Sequence, residues 1–152
     1  MCIRDSTDLP LSSSGRAQAE ILAAELSEYN FTHAYCSSLI RTQQTAIAII
    51  SPEIPLETME FLTEIDYGKD ENKPESEVIA RLGQDMLDLW DLEAIVPEGW
   101  HVNPEAIIRA WEQFFDTQKD KGSDILVVTS NGIARFILDL SLIHISEPTR
   151  PY

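Results

Sequence analysis

The chain has 152 residues, enough for one domain with its own core. It carries 26 acidic against 11 basic side chains, and the resulting net charge of −15 speaks against nucleic acid or an anionic membrane surface as a partner. No apolar run approaches the ~20 residues that span a bilayer, and one interior cysteine, Cys36, fits a reducing, cytoplasmic setting.

Taken in order, residues 7–11 form a loop stiffened by Pro10. Ser12 is a suitable N-cap for a helix over residues 12–28, with Ala19, Leu22, Leu26 and Tyr29 as its apolar stripe, widened by Ala17, Ile21 and Ala24. Gly15 weakens the first turn and suggests a close approach of backbone there. Residues 31–36 read as a strand, rich in aromatic and β-favouring side chains after the turn residue Asn30. Thr42, Thr45, Ala46, Ile49 and Ile50 recur at helical spacing, so a helix starts near Ser38 and stops at Ser51-Pro52. Residues 55–59 form a second strand that leads through Phe61 and Leu62 to Glu64. A polar loop follows, then a helix over residues 75–91 with Val78, Leu82, Met86, Leu89 and Trp90 facing a core. Residues 92–101, with Pro97, Gly99 and Trp100, read as a surface lid or cap piece. Asn103-Pro104-Glu105 is a clear helix start, and Ile107, Ile108, Trp111, Phe114 and Phe115 repeat at core spacing. Residues 119–123 turn into the continuous apolar run of residues 124–129, typical of a central strand buried on both faces. A last helix begins at Gly132. Alternating strands and helices of this kind predict a parallel α/β sheet with ligands at the strands' carboxyl ends.

The informative stretch is Cys36-Ser37-Ser38-Leu39-Ile40-Arg41-Thr42-Gln43-Gln44-Thr45-Ala46. A strand passing through two serines into a helix leaves backbone N–H groups and a positive dipole end facing the cleft. Arg41 adds a planar, permanently charged fork in the first turn. That combination suits an anion, a phosphoryl group best of all. On spacing alone, Arg41 also reads as a solvated helix-face side chain and Ser38 as an ordinary N-cap.

Four segments in order carry a family resemblance. The stretch around Arg41 resembles the "SSPLxRTxQTA" segment of the histidine phosphatase (phosphoglycerate mutase-like) superfamily, with Leu39 where Pro is usual. Asp8-Leu9-Pro10-Leu11-Ser12 through Gly15 to Gln18-Ala19 resembles "DxPLTxxGxxQA". Leu62-Thr63-Glu64-Ile65-Asp66-Tyr67-Gly68 resembles "LxEidfG". Val127-Val128-Thr129-Ser130-Asn131-Gly132-Ile133-Ala134-Arg135 resembles "VVSHGGviR". The resemblance implies a three-layer α/β/α fold with a parallel-dominated sheet in which strand 31–36 lies between the other two. It implies no cofactor and no metal, and a small phosphorylated substrate. Arg41 would clamp phosphate, and Glu64 would protonate the leaving group, which needs a carboxyl of raised pKa. Ser130 stands where the family has a second phosphate-binding His. Its hydroxyl gives one neutral hydrogen bond and no charge, and Asn131 beside it offers an amide donor. Neither His33 nor His101 is placed to replace the missing imidazole. Cys36 and Thr129 read as packing residues.

Residues 1–6 and 140–152 fit no element of this family and resemble translated sequencing adapter. The expected domain is therefore residues 7–139, lacking the first strand and the Arg-His-Gly motif whose His is phosphorylated in the family. Three readings follow: a phosphomonoester hydrolase working through that absent phosphohistidine; a phosphate-binding regulatory relative with a weakened pocket; or a mutase-type phosphotransferase. The fragment itself is expected to be inactive, and its oligomeric state is not legible.

Overall fold

The computed structural model describes residues 8–119 and 124–144. The expected turn at residues 120–123, the leader 1–6 and the last part of the tail lie outside the described residues. Strand β1 (Phe31–Cys36) sits between β2 (Leu56–Thr58) and β3 (Asp124–Val128), and both pairings are parallel. Ala34 lies opposite Leu56 on one side and Leu126 on the other, and Cys36 opposite Thr58 and Val128. This is the order the sequence predicted.

A parallel sheet must be covered on both faces, and the period-2 alternation of β1 and β3 supplies two apolar surfaces. Ala34, Cys36 and Leu126 pack with Ala46 of α2 (Ile40–Ile49) and with partly buried Leu26, Ile49 and Val128. On the opposite face Tyr35, Ile125 and Val127 meet Trp111 and Phe114 of α5 (Pro104–Gln118) and Ile133 and Phe136 of α6 (Asn131–His144). Helix α1 (Ser13–Glu25) lies against α2. The result is α/β/α layering. Helix α6 continues past residue 140, where the sequence reading drew the domain boundary.

Three sequence expectations are corrected in detail. Helix α1 begins as expected, with Ser12 Oγ accepting the Gly15 N–H at 3.1 Å, but stops at Glu25 rather than Glu28. There the Ser27 hydroxyl donates to Ala24 O at 2.8 Å, a side-chain bond that competes with continued helix. The helix expected over residues 75–91 is two helices, α3 (Glu75–Leu82) and α4 (Gln84–Glu93), broken at Gly83 with φ 83° and ψ 152°. The break resets the helical phase, so Leu87 is buried at 1 % exposure while Leu89 is left 38 % exposed. The excursion before α5 lies at the surface, with Leu92 and Ile95 exposed, but it is anchored in the core by buried Pro97 and Trp100. Trp100 Nε1 donates to Asp70 Oδ2 at 2.6 Å, and its ring stands edge-on to Tyr67 and Trp90, at centroid distances of 4.8 and 5.1 Å. Asp70 also accepts from the Arg81 guanidinium, so this carboxylate, 2 % exposed, is paired on both oxygens. Edge-to-face aromatic pairs add about 0.5–1.5 kcal/mol each beyond area burial, enough to hold a loop in the core.

Among the described residues, β3 pairs on one edge only. Along its other edge runs a cavity of about 910 Å³, walled by Leu126, Val127 and Val128, by Leu22 and Leu26 of α1, and by Ala134 and Ile137 of α6. That explains why Leu22, on the expected apolar stripe of α1, is 37 % exposed: it faces this space.

Candidate active site

The polar end of the same cavity gathers four residues from three separate segments: Arg41 in the first turn of α2, Glu64, and the adjacent Ser130 and Asn131 at the start of α6. Each is placed by the way its strand ends. After β1, Ser37 is fully buried, its Oγ accepting the Leu39 N–H at 3.3 Å and lying 2.7 Å from Thr42 Oγ1. The Thr42 hydroxyl donates to Leu39 O at 2.8 Å. These bonds fix the tight entry into α2 and put Arg41 in its first turn. The N-cap is Leu39, not Ser38, and it has no side-chain cap. The Ile40 N–H, expected to be open to a ligand, goes instead to Asp8 Oδ1 at 2.6 Å. A carboxylate from the N-terminal loop therefore already sits on the positive end of α2.

Glu64 follows the short turn Glu60–Leu62, whose Leu62 is fully buried. The Thr129 hydroxyl donates to Leu62 O at 2.6 Å, tying the end of β3 to this segment. Ser130 is the N-cap of α6: its carbonyl accepts from Ile133 N–H at 3.2 Å and Ala134 N–H at 2.9 Å. Its hydroxyl has no partner although the residue is only 9 % exposed. An unpaired buried hydroxyl costs about 1–3 kcal/mol, so this group is poised to bond whatever enters the cavity.

Burial pushes the Glu64 carboxyl up from its ordinary value. The Ile65 N–H, the Arg41 charge, the Tyr67 hydroxyl and the Gly132 N–H each pull the other way, and burial wins. The sequence assigned no role to Tyr67, although it lies inside a quoted motif. Tyr67 is 5 % exposed and reaches Glu64 from the same loop. Gly132 meets Glu64 from across the cleft, a relation between distant positions that no local pattern announces.

Other singled-out residues lie elsewhere. Arg135 turns away from the cavity: its Nη1 donates to Trp90 O at 2.7 Å, Nη2 lies 3.2 Å from Asp91 Oδ1, and the guanidinium sits 4.4 Å over the Trp90 ring. His101 is exposed, with Nδ1 2.8 Å from Asp66 Oδ2, and His33 bonds to Thr32. Cys36 is fully buried, and burial raises its thiol pKa, as fits a packing role.

This combination of strand order and convergent side chains accords with the family described as the histidine phosphatase superfamily (branch 1), whose model matches residues 2–150. The chain belongs to the histidine phosphatase superfamily. The match takes in residues 2–6 and 140–150 of the end segments that the sequence reading set aside. Among curated relatives, 2,3-bisphosphoglycerate-dependent phosphoglycerate mutase 2 of Gloeobacter violaceus is 28% identical, over 92% of this chain and 67% of its own length. The fructose-2,6-bisphosphatase TIGAR of Xenopus tropicalis is 42% identical over 47% of this chain but only 28% of its own length. The chain thus spans about two thirds of one of these histidine phosphatase relatives and much less of the other. Among solved structures, the mycobacterial glucosyl-3-phosphoglycerate phosphatase superposes with a TM-score of 0.73 at 18% identity, over 96% of this chain and 72% of that one. At that identity the likeness bears on the fold.

Proposed function

We propose that the protein is a phosphomonoester hydrolase in which a His on a strand upstream of Asp8 takes the phosphoryl group. The observation that carries this reading is the convergence of Arg41, Glu64, Ser130 and Asn131 on one cavity at the carboxyl ends of β1 and β3. Arg41 holds two phosphoryl oxygens with its guanidinium fork, while the Asn131 N–H and the Ser130 hydroxyl take a third at the positive end of α6. As the imidazole attacks phosphorus, the leaving alkoxide takes its proton from the Glu64 carboxyl. Water then attacks the phosphohistidine, gives its proton to the Glu64 carboxylate, and phosphate leaves. A carboxyl raised by burial beside an otherwise cationic pocket suits both halves.

The relatives' names divide between mutase and phosphatase. Hydrolysis is favoured because a mutase must retain and redeliver the phosphoryl group, and Ser130 leaves this pocket with one charged anchor where the family has more. The same residue supports a second reading, a phosphate-ligand binding protein with little turnover. A small phosphorylated substrate and a cytoplasmic location complete the proposal.

The test uses a version extended upstream through the proposed strand and its His. Hydrolysis of a simple aryl phosphate is expected, falling about 10²–10³-fold in Arg41→Ala, the usual cost of losing a charged oxyanion partner. Ser130→Ala, which removes one neutral donor worth about 0.5–1.5 kcal/mol, costs about tenfold or less. Phosphate binding that depends on Arg41, without turnover, would select the binding reading.

A further inference from the structure

The first turn of α6 holds one carboxylate before any ligand arrives. Ser130 caps the helix only through its carbonyl, leaving its hydroxyl unpaired and only 9 % of the residue exposed at the cavity wall. The side chain of Glu64 instead packs against Gly132, whose N–H favours its charged form, and its Oε1 accepts the Ile65 N–H at 2.9 Å. Residue 132 has no positive φ that would call for glycine, and glycine in a helix costs about 0.8–1.0 kcal/mol relative to Ala. What demands glycine is space. A Cβ at this position would overlap Glu64 Oε1 and lie 2.8 Å from Ile65 Cγ1.

We propose that Gly132 is a positioning residue that seats the Glu64 carboxyl on the first turn of α6, so that a tetrahedral dianion bound at the same turn drives a proton onto Glu64. This rests on the phosphate-binding reading above and adds what couples substrate to proton donor. In the empty site burial raises the Glu64 pKa, and the Ile65 N–H, the Arg41 charge, the Tyr67 hydroxyl and the Gly132 N–H hold that rise partly back. A dianion engages Arg41 for itself and places two negative charges beside the carboxylate, and both changes favour the protonated acid. The other titratable groups nearby are Asp8, which caps α2 on the far side of the cleft, and the exposed Asp66–His101 pair. None of them bonds to the Gly132 seat. The donor is therefore armed further by its own substrate, beyond the rise that burial already imposes. Proton uptake on binding also means that dianion affinity rises as pH falls between the Glu64 pKa values of the free and loaded sites.

Sulfate is a suitable probe because it stays a dianion throughout the range. Calorimetric titration of the 152-residue chain from pH 5 to 8, at fixed ionic strength in two buffers of different ionisation enthalpy, is expected to show proton uptake. Affinity should rise toward acid by up to about tenfold per pH unit. In Glu64→Gln the uptake and the Glu64-dependent slope should vanish and affinity at pH 8 should exceed that of the parent, while any slope from His101 or from net charge persists. In Gly132→Ala the carboxyl is displaced and the uptake should shrink while sulfate still binds. Should that variant not fold, Glu64→Gln decides alone. Sulfate binding that depends on Arg41 but takes up no proton, or an equal slope in Glu64→Gln, overturns the coupling and leaves the phosphate site standing. Binding that is absent, or unchanged in Arg41→Ala, overturns the phosphate-site reading and this inference with it.

Discussion

Ser130 is the residue on which the chemistry of this pocket turns. Its position at the N-cap of α6 is one from which a side chain ordinarily bonds the helix's own N–H groups, yet its hydroxyl is unpaired and Glu64 does that work from another loop. Replacing it by His restores the imidazole of the family pattern at a buried position lining the cavity. In an upstream-extended version, Ser130→His is expected to raise aryl phosphate turnover by about tenfold or more, since a charge-assisted donor is worth roughly twice a neutral one. Steady-state kinetics reads this directly. A loss of activity would mean that the hydroxyl has a task of its own. The four residues of the candidate site were legible because each lies in a motif at a strand's carboxyl end. Tyr67 and Asp8 were not, because their parts in the site are contacts across the cleft or along a loop, and sequence spacing does not encode those.

At the scale of elements, the glycine between α3 and α4 decides how the helical region covers the core. Gly83 adopts φ 83° and ψ 152°, a region nearly closed to residues with a Cβ. A Cβ built there meets nothing within 4 Å, so a substitution is penalised by backbone conformation alone. Gly83→Ala should therefore destabilise the fold by about 1–3 kcal/mol in urea unfolding, without slowing any step at the pocket. A stability within error of the parent would show that the two helices can fuse without cost. The sequence reading ran one helix through this point because the apolar period continues past Gly83, and a single glycine is weak evidence for a break. The same reading takes residues 92–101 as a surface lid or cap piece and misses the anchoring of Pro97 and Trp100 in the core. Pro97 and Gly99 are ordinary loop signals, and the Asp70 carboxylate that receives the Trp100 indole lies 30 positions away in sequence. What the sequence did carry was the order of strands and helices, because apolar strand 124–128 and amphipathic α5 have strong hydrophobic patterns and α5 a clear N-cap.

For the whole molecule, the telling feature is a central-type strand at an edge. β3 is Asp124-Ile125-Leu126-Val127-Val128, apolar toward both helical layers, and the edge left unpaired among the described residues faces the 910 Å³ cavity between α1 and α6. Asp8 lies at the carboxyl end of the sheet, bonded to the start of α2. A strand placed in the cavity and leading into Asp8 must therefore run parallel to β3, delivering its last residues beside Arg41 and Glu64. A strand of about six residues that buries five or six apolar side chains gains about 1.5–3 kcal/mol for each. Ordering it costs about 1–2 kcal/mol per residue in backbone freedom. A net gain of about 3 kcal/mol would raise Tm by roughly 6–12 °C for a chain of this size. Extension upstream of Asp8 by such a strand should thus shift the melting curve upward by that amount. It should also slow hydrogen exchange at β3 amides facing the cavity and exclude solvent from Leu22 and Leu126. An extended chain whose Tm and β3 exchange match those of the present one would show that the strand does not pair there, and the proposed phosphohistidine would have no route to the pocket.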